Sequence, residues 1–229
     1  MKVQDLWFLL GLTFIFLPFF LFKGVFQFYY SFNQEHGLLM SFIKFFLLAT
    51  LGEVIGLRIR TGVYYRKGFG LLPRALVWGF LGMTIFMAFA VFSTGTPMLL
   101  EKLGLENAGA ALNEAFGWRK FLVAFSISTL LNLFYAPVMM TFHKITDTHI
   151  LETGGRLKGF FTRMDFARIF KEINWEVQWN FVFKRTIPLF WIPAQTLTFL
   201  LPEEYRILFA AFLGIILGVL LAIAALKNT

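Results

Sequence analysis

The chain has no cysteine. That excludes a disulfide, a thiolate metal site and a thiol nucleophile. Charge is scarce too: Asp, Glu, Lys and Arg make up 15% of the residues, against about 25% in soluble domains. Histidine occurs three times, at 36, 143 and 149, and these positions share no metal-binding spacing such as HExxH. Each reads as an interfacial or loop residue. No phosphate loop, nucleophile–base pairing, internal repeat or low-complexity stretch is present. The residues therefore imply no cofactor, no metal and no evident enzyme chemistry.

What the chain has is hydrocarbon. Hydrophobic residues make up 58% of it, 32 of them Phe, and the mean hydropathy is +0.71. Six apolar runs lie at 6–22, 37–57, 75–92, 121–142, 186–201 and 207–226. Each approaches the ~20 residues that a helix needs to cross a bilayer. The first run lacks a small-residue cleavage site, so it reads as a retained helix rather than a signal peptide. It extends past Lys23 towards Tyr30. The fold expected is all-α: a polytopic transmembrane helix bundle of about six spans, plus an interfacial amphipathic helix. One membrane domain covers 1–229, with 1–37 an added N-terminal span and loop and 38–229 the core.

The net charge of +8 does not point to nucleic acid, because the basic residues sit between the apolar runs. With six spans, fifteen Lys and Arg fall on the side of the N-terminus and four on the other, Lys23 and Lys44 lying within spans. The positive-inside rule then places both termini inside. A bacterial cell membrane is expected, or an organellar membrane in a eukaryote.

Two connections are long. Residues 95–117 contain ENAGAALNEAFG, which reads as a short surface helix. In 144–185, Phe166, Phe170, Ile173, Val177 and Phe181 recur at helical spacing. They predict an amphipathic helix that either lies in the inner interface or covers the inner mouth of the bundle. Trp175 and Trp179 suit interfacial depth.

The polar residues inside spans are few. Glu53 is the one acidic residue within a run, and a carboxylate there is costly unless partnered or functional. It lies between Gly52 and Gly56, whose spacing lets another helix approach closely. Its partner could be another helix, or Arg58 or Arg60. Asn132 and Gln195 also seek partners in the interior, as helix glue or as part of a polar path. Gly214 and Gly218, with Ala210 and Ala222, form a small-residue packing seam. The hydroxyls of residues 125–130 are expected to bond back to their own helix. Pro188 and Pro193 deprive the carbonyls of residues 184 and 189 of their helical partners. That segment must then pack among helices or line a wet cavity. Gln195, one turn beyond Trp191, is expected to meet the span bearing Glu53.

One pattern resembles a known family. Trp191, Gln195 and Phe199 keep the spacing of a W-P-x-x-Q-x-x-N-F segment, and Pro202, Tyr205 and Arg206 keep that of P-x-x-Y-R. Ile192 and Thr198 depart from it, and the gap from Phe199 to Pro202 is one residue short. Residues 51–55, LGEVI, resemble a G-D-x-I/L segment with Glu53 for Asp. Over 38–229 the chain thus resembles the Mpv-seventeen/PMP-twenty-two family of small peroxisomal and mitochondrial inner-membrane proteins. The resemblance implies a pore-like membrane protein and no particular substrate.

The leading expectation is a channel or small-solute transport protein. Its binding or pore-lining residues are Glu53, Asn132, Gln195, Trp191 and Arg206, and its packing residues are Gly52, Gly56, Gly214, Gly218, Pro188 and Pro193. The alternatives are a non-transporting scaffold or homeostasis factor and, more weakly, a lipid-acting enzyme using His143, Asp147 and His149. Expected partners are membrane lipids and a small-molecule solute, with a homo-oligomer as a further candidate.

Overall fold

The computed structural model describes residues 2–227, the side chains of 221 and 224–227 excepted. Among the described residues every regular element is helical. The chain divides into two units, 1–40 and 41–229.

In the first unit, α1 (Val3–Leu21) and α2 (Lys23–Glu35) meet at an extended residue, Phe22. The run expected to continue to Tyr30 is therefore two helices. Phe19 and Tyr29 pack edge to face across the turn, ring centroids 5.6 Å apart. This is a favourable aromatic geometry.

The second unit starts within α3 (Gly37–Thr61), which is followed by α4 (Leu71–Lys102). The apolar run 75–92 with Pro97 after it predicted a shorter helix. Instead α4 runs through Pro97 for 32 residues, about 48 Å at 1.5 Å per residue. In the long connection after it, α5 (Ala108–Ala111) is short, with Ala108 and Ala111 buried.

The run 121–142 becomes two helices, α6 (Trp118–Phe134) and α7 (Ala136–Glu152), bent by 43°. Pro137 sits in the first turn of α7. It has no N–H for the carbonyl one turn back, and its ring crowds that carbonyl, so the axis bends there.

The amphipathic pattern does not make one helix either. After the single turn of α8 (Leu157–Phe160), α9 (Phe166–Glu172) ends at Ile173, whose ψ of 133° is extended. A new start follows, capped by Asn174, whose Oδ1 accepts from the Val177 N–H at 3.0 Å. A side-chain oxygen in that position satisfies one of the free N–H groups of a helix start. Ile169 and Ile173 bury themselves against Ile145 of α7.

From α10 (Trp175–Val177) the chain stays helical to Leu200. The turns are widened to i→i+5 over Gln178–Trp191, the π segment, and return to α geometry in α11 (Ile192–Leu200). The proline-broken span expected at 186–201 is thus the second half of a longer helix. Pro188 lies inside the π segment and Pro193 in the first turn of α11. Local π adjustments re-satisfy backbone groups that a proline frees in a transmembrane helix. Both prolines are exposed, so they shape this helix rather than pack it. After Leu201 the final helix is α12 (Glu203–Lys227).

Among the described residues, three helices, α1, α3 and α4, are long and apolar enough to cross a membrane, or four if the bent pair α6–α7 counts as one span. These helices fit a membrane protein.

Glycines let the helices of the second unit close up. A Cβ on Gly82 would lie 2.6 Å from the Ser41 carbonyl oxygen, and one on Gly52 would lie 2.9 Å from the Ile215 Cα. At Gly218 a Cβ would come within 3.3 Å of the Gly52 carbonyl, and at Gly56 within 3.6 Å of the Gly218 carbonyl. Gly214 presents its carbonyl to Gly52, and its own Cα faces open space. Here α3 and α12 touch backbone to backbone, as small-residue interfaces allow.

Candidate functional site

A cavity of about 420 Å³ runs through the second unit. That is within the range of small-molecule sites. Its wall extends along α3 from Phe45 to Arg60 and along α4 from Arg74 to Phe89. Fifteen residues of helix in each case correspond to about 22 Å. α6 and α7 contribute Leu131 through Asp147, the π segment and α11 contribute Gln178 through Gln195, and α12 contributes Ala210 to Gly218.

Four of the five expected lining residues reach this one cavity: Glu53, Asn132, Trp191 and Gln195, together with Gly52, Gly56, Gly214 and Gly218. Arg206 does not. Its buried guanidinium donates from Nε to the Leu201 carbonyl at 3.1 Å and lies over the Phe199 ring, 5.8 Å from its centroid. It holds the turn between α11 and α12. Gln195 and Glu53 share the cavity, but no hydrogen bond joins them. α11 packs on α6.

One end of the cavity is built on charge. Glu53 binds Arg74, Oε2 to Nη1 at 2.6 Å, and not Arg58 or Arg60. Arg58 instead donates to the Gly62 carbonyl at 2.6 Å. The other oxygen of Glu53 accepts from the Trp78 indole N–H at 2.6 Å and lies 3.5 Å from His143 Nε2. The Arg74 guanidinium also pairs with Asp147, donates from Nε to the Phe69 carbonyl at 2.7 Å and covers the Phe69 ring. Its side chain is 9% exposed and that of Glu53 18%. The Trp78 and His143 rings lie face to face at a tilt, centroids 4.4 Å apart. A charged pair this far from water persists only with several hydrogen bonds around it, and this one has them.

The sequence patterns put Arg74 in a basic loop and left Trp78 out. Two spacings in the sequence carry the signal. Arg74 and Trp78 are one turn apart in α4, as are His143 and Asp147 in α7, so each pair shares a helix face. The trio His143, Asp147 and His149 does not assemble. His149 is buried elsewhere, its Nε2 3.2 Å from the Phe160 carbonyl.

The other end is apolar with isolated polar groups. Asn132 Nδ2 donates to the Ser128 carbonyl at 2.9 Å, and Ser128 Oγ donates across to the Ile192 carbonyl at 2.7 Å. The hydroxyl expected to bond within its own helix therefore ties α6 to α11. Trp191 Nε1 and Gln195 Oε1 are buried and find no hydrogen-bond partner among the described residues. Such atoms are uncommon in native interiors and call for an explanation. Tyr135 and Thr84 join α4 to the α6–α7 bend through their hydroxyls at 2.7 Å.

Among the described residues, no three His, Asp or Glu side chains converge as a metal site. No family model, curated protein or solved structure matches the chain.

Proposed function

We propose that this chain is a multi-pass membrane protein that binds a small solute in the 420 Å³ cavity and passes it across the bilayer. The observation that carries this reading is convergence. Glu53, Asn132, Trp191 and Gln195 come from α3, α6, the π segment and α11, and all line one cavity. Polar residues that served only to join helices would instead meet in dry contacts. Two of the buried polar atoms beside the cavity lack a protein partner, which suits a site built to exchange its contents.

On this reading the chain crosses the membrane six times with both termini inside. α1, α3, α4, α6–α7, the helix from the π segment through α11, and α12 make the crossings. The short helices α8 and α9 then belong to the inner interface. The fifteen-to-four distribution of basic residues supports that orientation. Kinship with the Mpv-seventeen/PMP-twenty-two family is part of the same proposal, resting on Trp191, Gln195, Phe199, Pro202, Tyr205 and Arg206.

The test is solute flux or conductance of the purified protein in liposomes or planar bilayers. Flux is expected, and Glu53→Gln should alter it, because that variant weakens the hold on Arg74 at the charged end of the cavity. A tight bilayer containing correctly folded protein would leave a scaffold as the better description.

A further inference from the structure

We infer that the solute is an amphipathic organic anion: a carboxylate or similar acid on an apolar body, held with its head at the end of the cavity marked by Arg60 and Lys144. This rests on the reading of the cavity as a solute site.

The charges decide the sign of the ligand. Besides Glu53, the Asp, Lys and Arg side chains that line the cavity are Asp147, Arg74, Arg60 and Lys144. The two carboxylates are already committed. Glu53 and Asp147 both pair with Arg74, and the second oxygen of Glu53 takes the Trp78 N–H. A cationic solute would have to displace Arg74 from a buried ion pair, which is costly. Arg60 and Lys144 are different. Both are exposed, and neither forms an ion pair among the described residues. They sit at the same end as the charged cluster, where the cavity reaches the surface. Two cations with no acidic partner beside an opening offer an anion a head-group site and raise its local concentration.

The walls decide the body of the ligand. Moving from Arg60 and Arg74 towards Phe45 and Phe89, the lining becomes Trp78, Met139, Met140, Ile85 and the two phenylalanines. A mostly apolar stretch about 16 Å long, from Trp78 to Phe89 along α4, beside two cations matches an extended chain or aryl group rather than a compact polar solute. A sugar or an inorganic ion would leave that surface unused. Met side chains adapt to varied apolar shapes, which suits a class of ligands rather than one molecule.

Such an acid could arrive from water or from the bilayer. The experiment separates the two with octanoate, which is water-soluble, and hexadecanoate, which partitions into lipid. Protein in nanodiscs is compared with empty nanodiscs by equilibrium binding of the labelled acids. Octanol and octyltrimethylammonium serve as neutral and cationic competitors. One saturable site is expected for at least one of the acids. Octanol should compete at least tenfold more weakly than octanoate, and octyltrimethylammonium not at all. The double variant Arg60→Gln, Lys144→Gln should weaken binding at least tenfold. Lys158→Gln, an exposed cation outside the cavity, should leave it unchanged. Because Arg60 and Lys144 are exposed, their loss should leave the melting temperature near that of the native chain. Equal competition by all three head groups, binding unaffected by the double variant, or no saturable binding of either acid would overturn the assignment.

Flux is measured separately. Saturable acid binding with no flux refutes transport and leaves the ligand class standing. Flux of a neutral or cationic solute without acid binding refutes the ligand class and leaves transport standing.

Discussion

Arg74 binds Glu53 across the α3–α4 interface, Nη1 to Oε2 at 2.6 Å, and the same guanidinium pairs with Asp147 of α7. One cation thus ties three helices together at the charged end of the cavity, and it does so almost out of reach of solvent. Removing it leaves two carboxylates facing each other in a poorly solvated site. Arg74→Met is expected to destabilise the fold by about 3–5 kcal/mol, the range for breaking a buried pair from one side. Thermal unfolding in detergent measures it. Adding Glu53→Gln to Arg74→Met should recover part of the loss, and full additivity in that cycle would mean the pair is uncoupled.

The α3–α12 contact gives a sharper test of packing. A Cβ on Gly52 would lie 2.9 Å from the Ile215 Cα, a backbone atom that no side-chain rotation moves. Gly52→Ala should therefore push the helices apart and cost about 1–3 kcal/mol, as overpacking does. Gly214→Ala, whose Cβ would meet open space, should be neutral or slightly stabilising, since alanine favours the helix. Equal melting temperatures for the two variants would contradict this helix contact.

Gln195 separates a binding residue from a structural one. Its buried Oε1 has no hydrogen bond to lose, so Gln195→Leu should leave the melting temperature unchanged or raise it. Solute flux or binding should fall with the same substitution. A protein that loses stability but keeps its flux would show that Gln195 holds helices together.

The Ser128 hydroxyl hydrogen-bonds α6 to α11 within their packed interface. Ser128→Ala removes the 2.7 Å bond to the Ile192 carbonyl and one acceptor of Asn132. The cost should be about 0.6–1.5 kcal/mol, the range for an interhelical side-chain bond. Thr129→Ala, one position on, should cost less, because the buried Thr129 hydroxyl has no such bond. The pair of variants, unfolded side by side, measures the difference.

Orientation can be read chemically because the chain has no cysteine. Arg66→Cys should react with a membrane-impermeant maleimide only from the inner side of the membrane, and Asn107→Cys only from the outer side. The opposite labelling pattern would invert the orientation, and labelling of both from one side would remove an odd number of crossings between them.

The presence of long apolar helices was legible from the amino acids because it depends on local composition. Apolar runs near 20 residues needed no partner to be recognised, and Gly52 and Gly56 announced a close helix contact by spacing alone. Bends and breaks were half legible. Pro137 sits at the bend between α6 and α7. Pro97, at the same level of sequence information, did not end α4, and the repeat from Phe166 to Phe181 gave no hint that Asn174 would start a new helix. A cap or a kink is won by whichever backbone arrangement the neighbouring helices accept. The charged site shows the division most clearly. Glu53 stood out because a carboxylate in an apolar run has to find a partner, yet candidates on its own helix and on others fitted the sequence equally well. Only the packing of α3 against α4 and α7 chose Arg74, Trp78 and His143, residues 21, 25 and 90 positions further along the chain. An unpaired charge is a local property of the sequence. The identity of its partner is a distance in space, and chain position does not contain it.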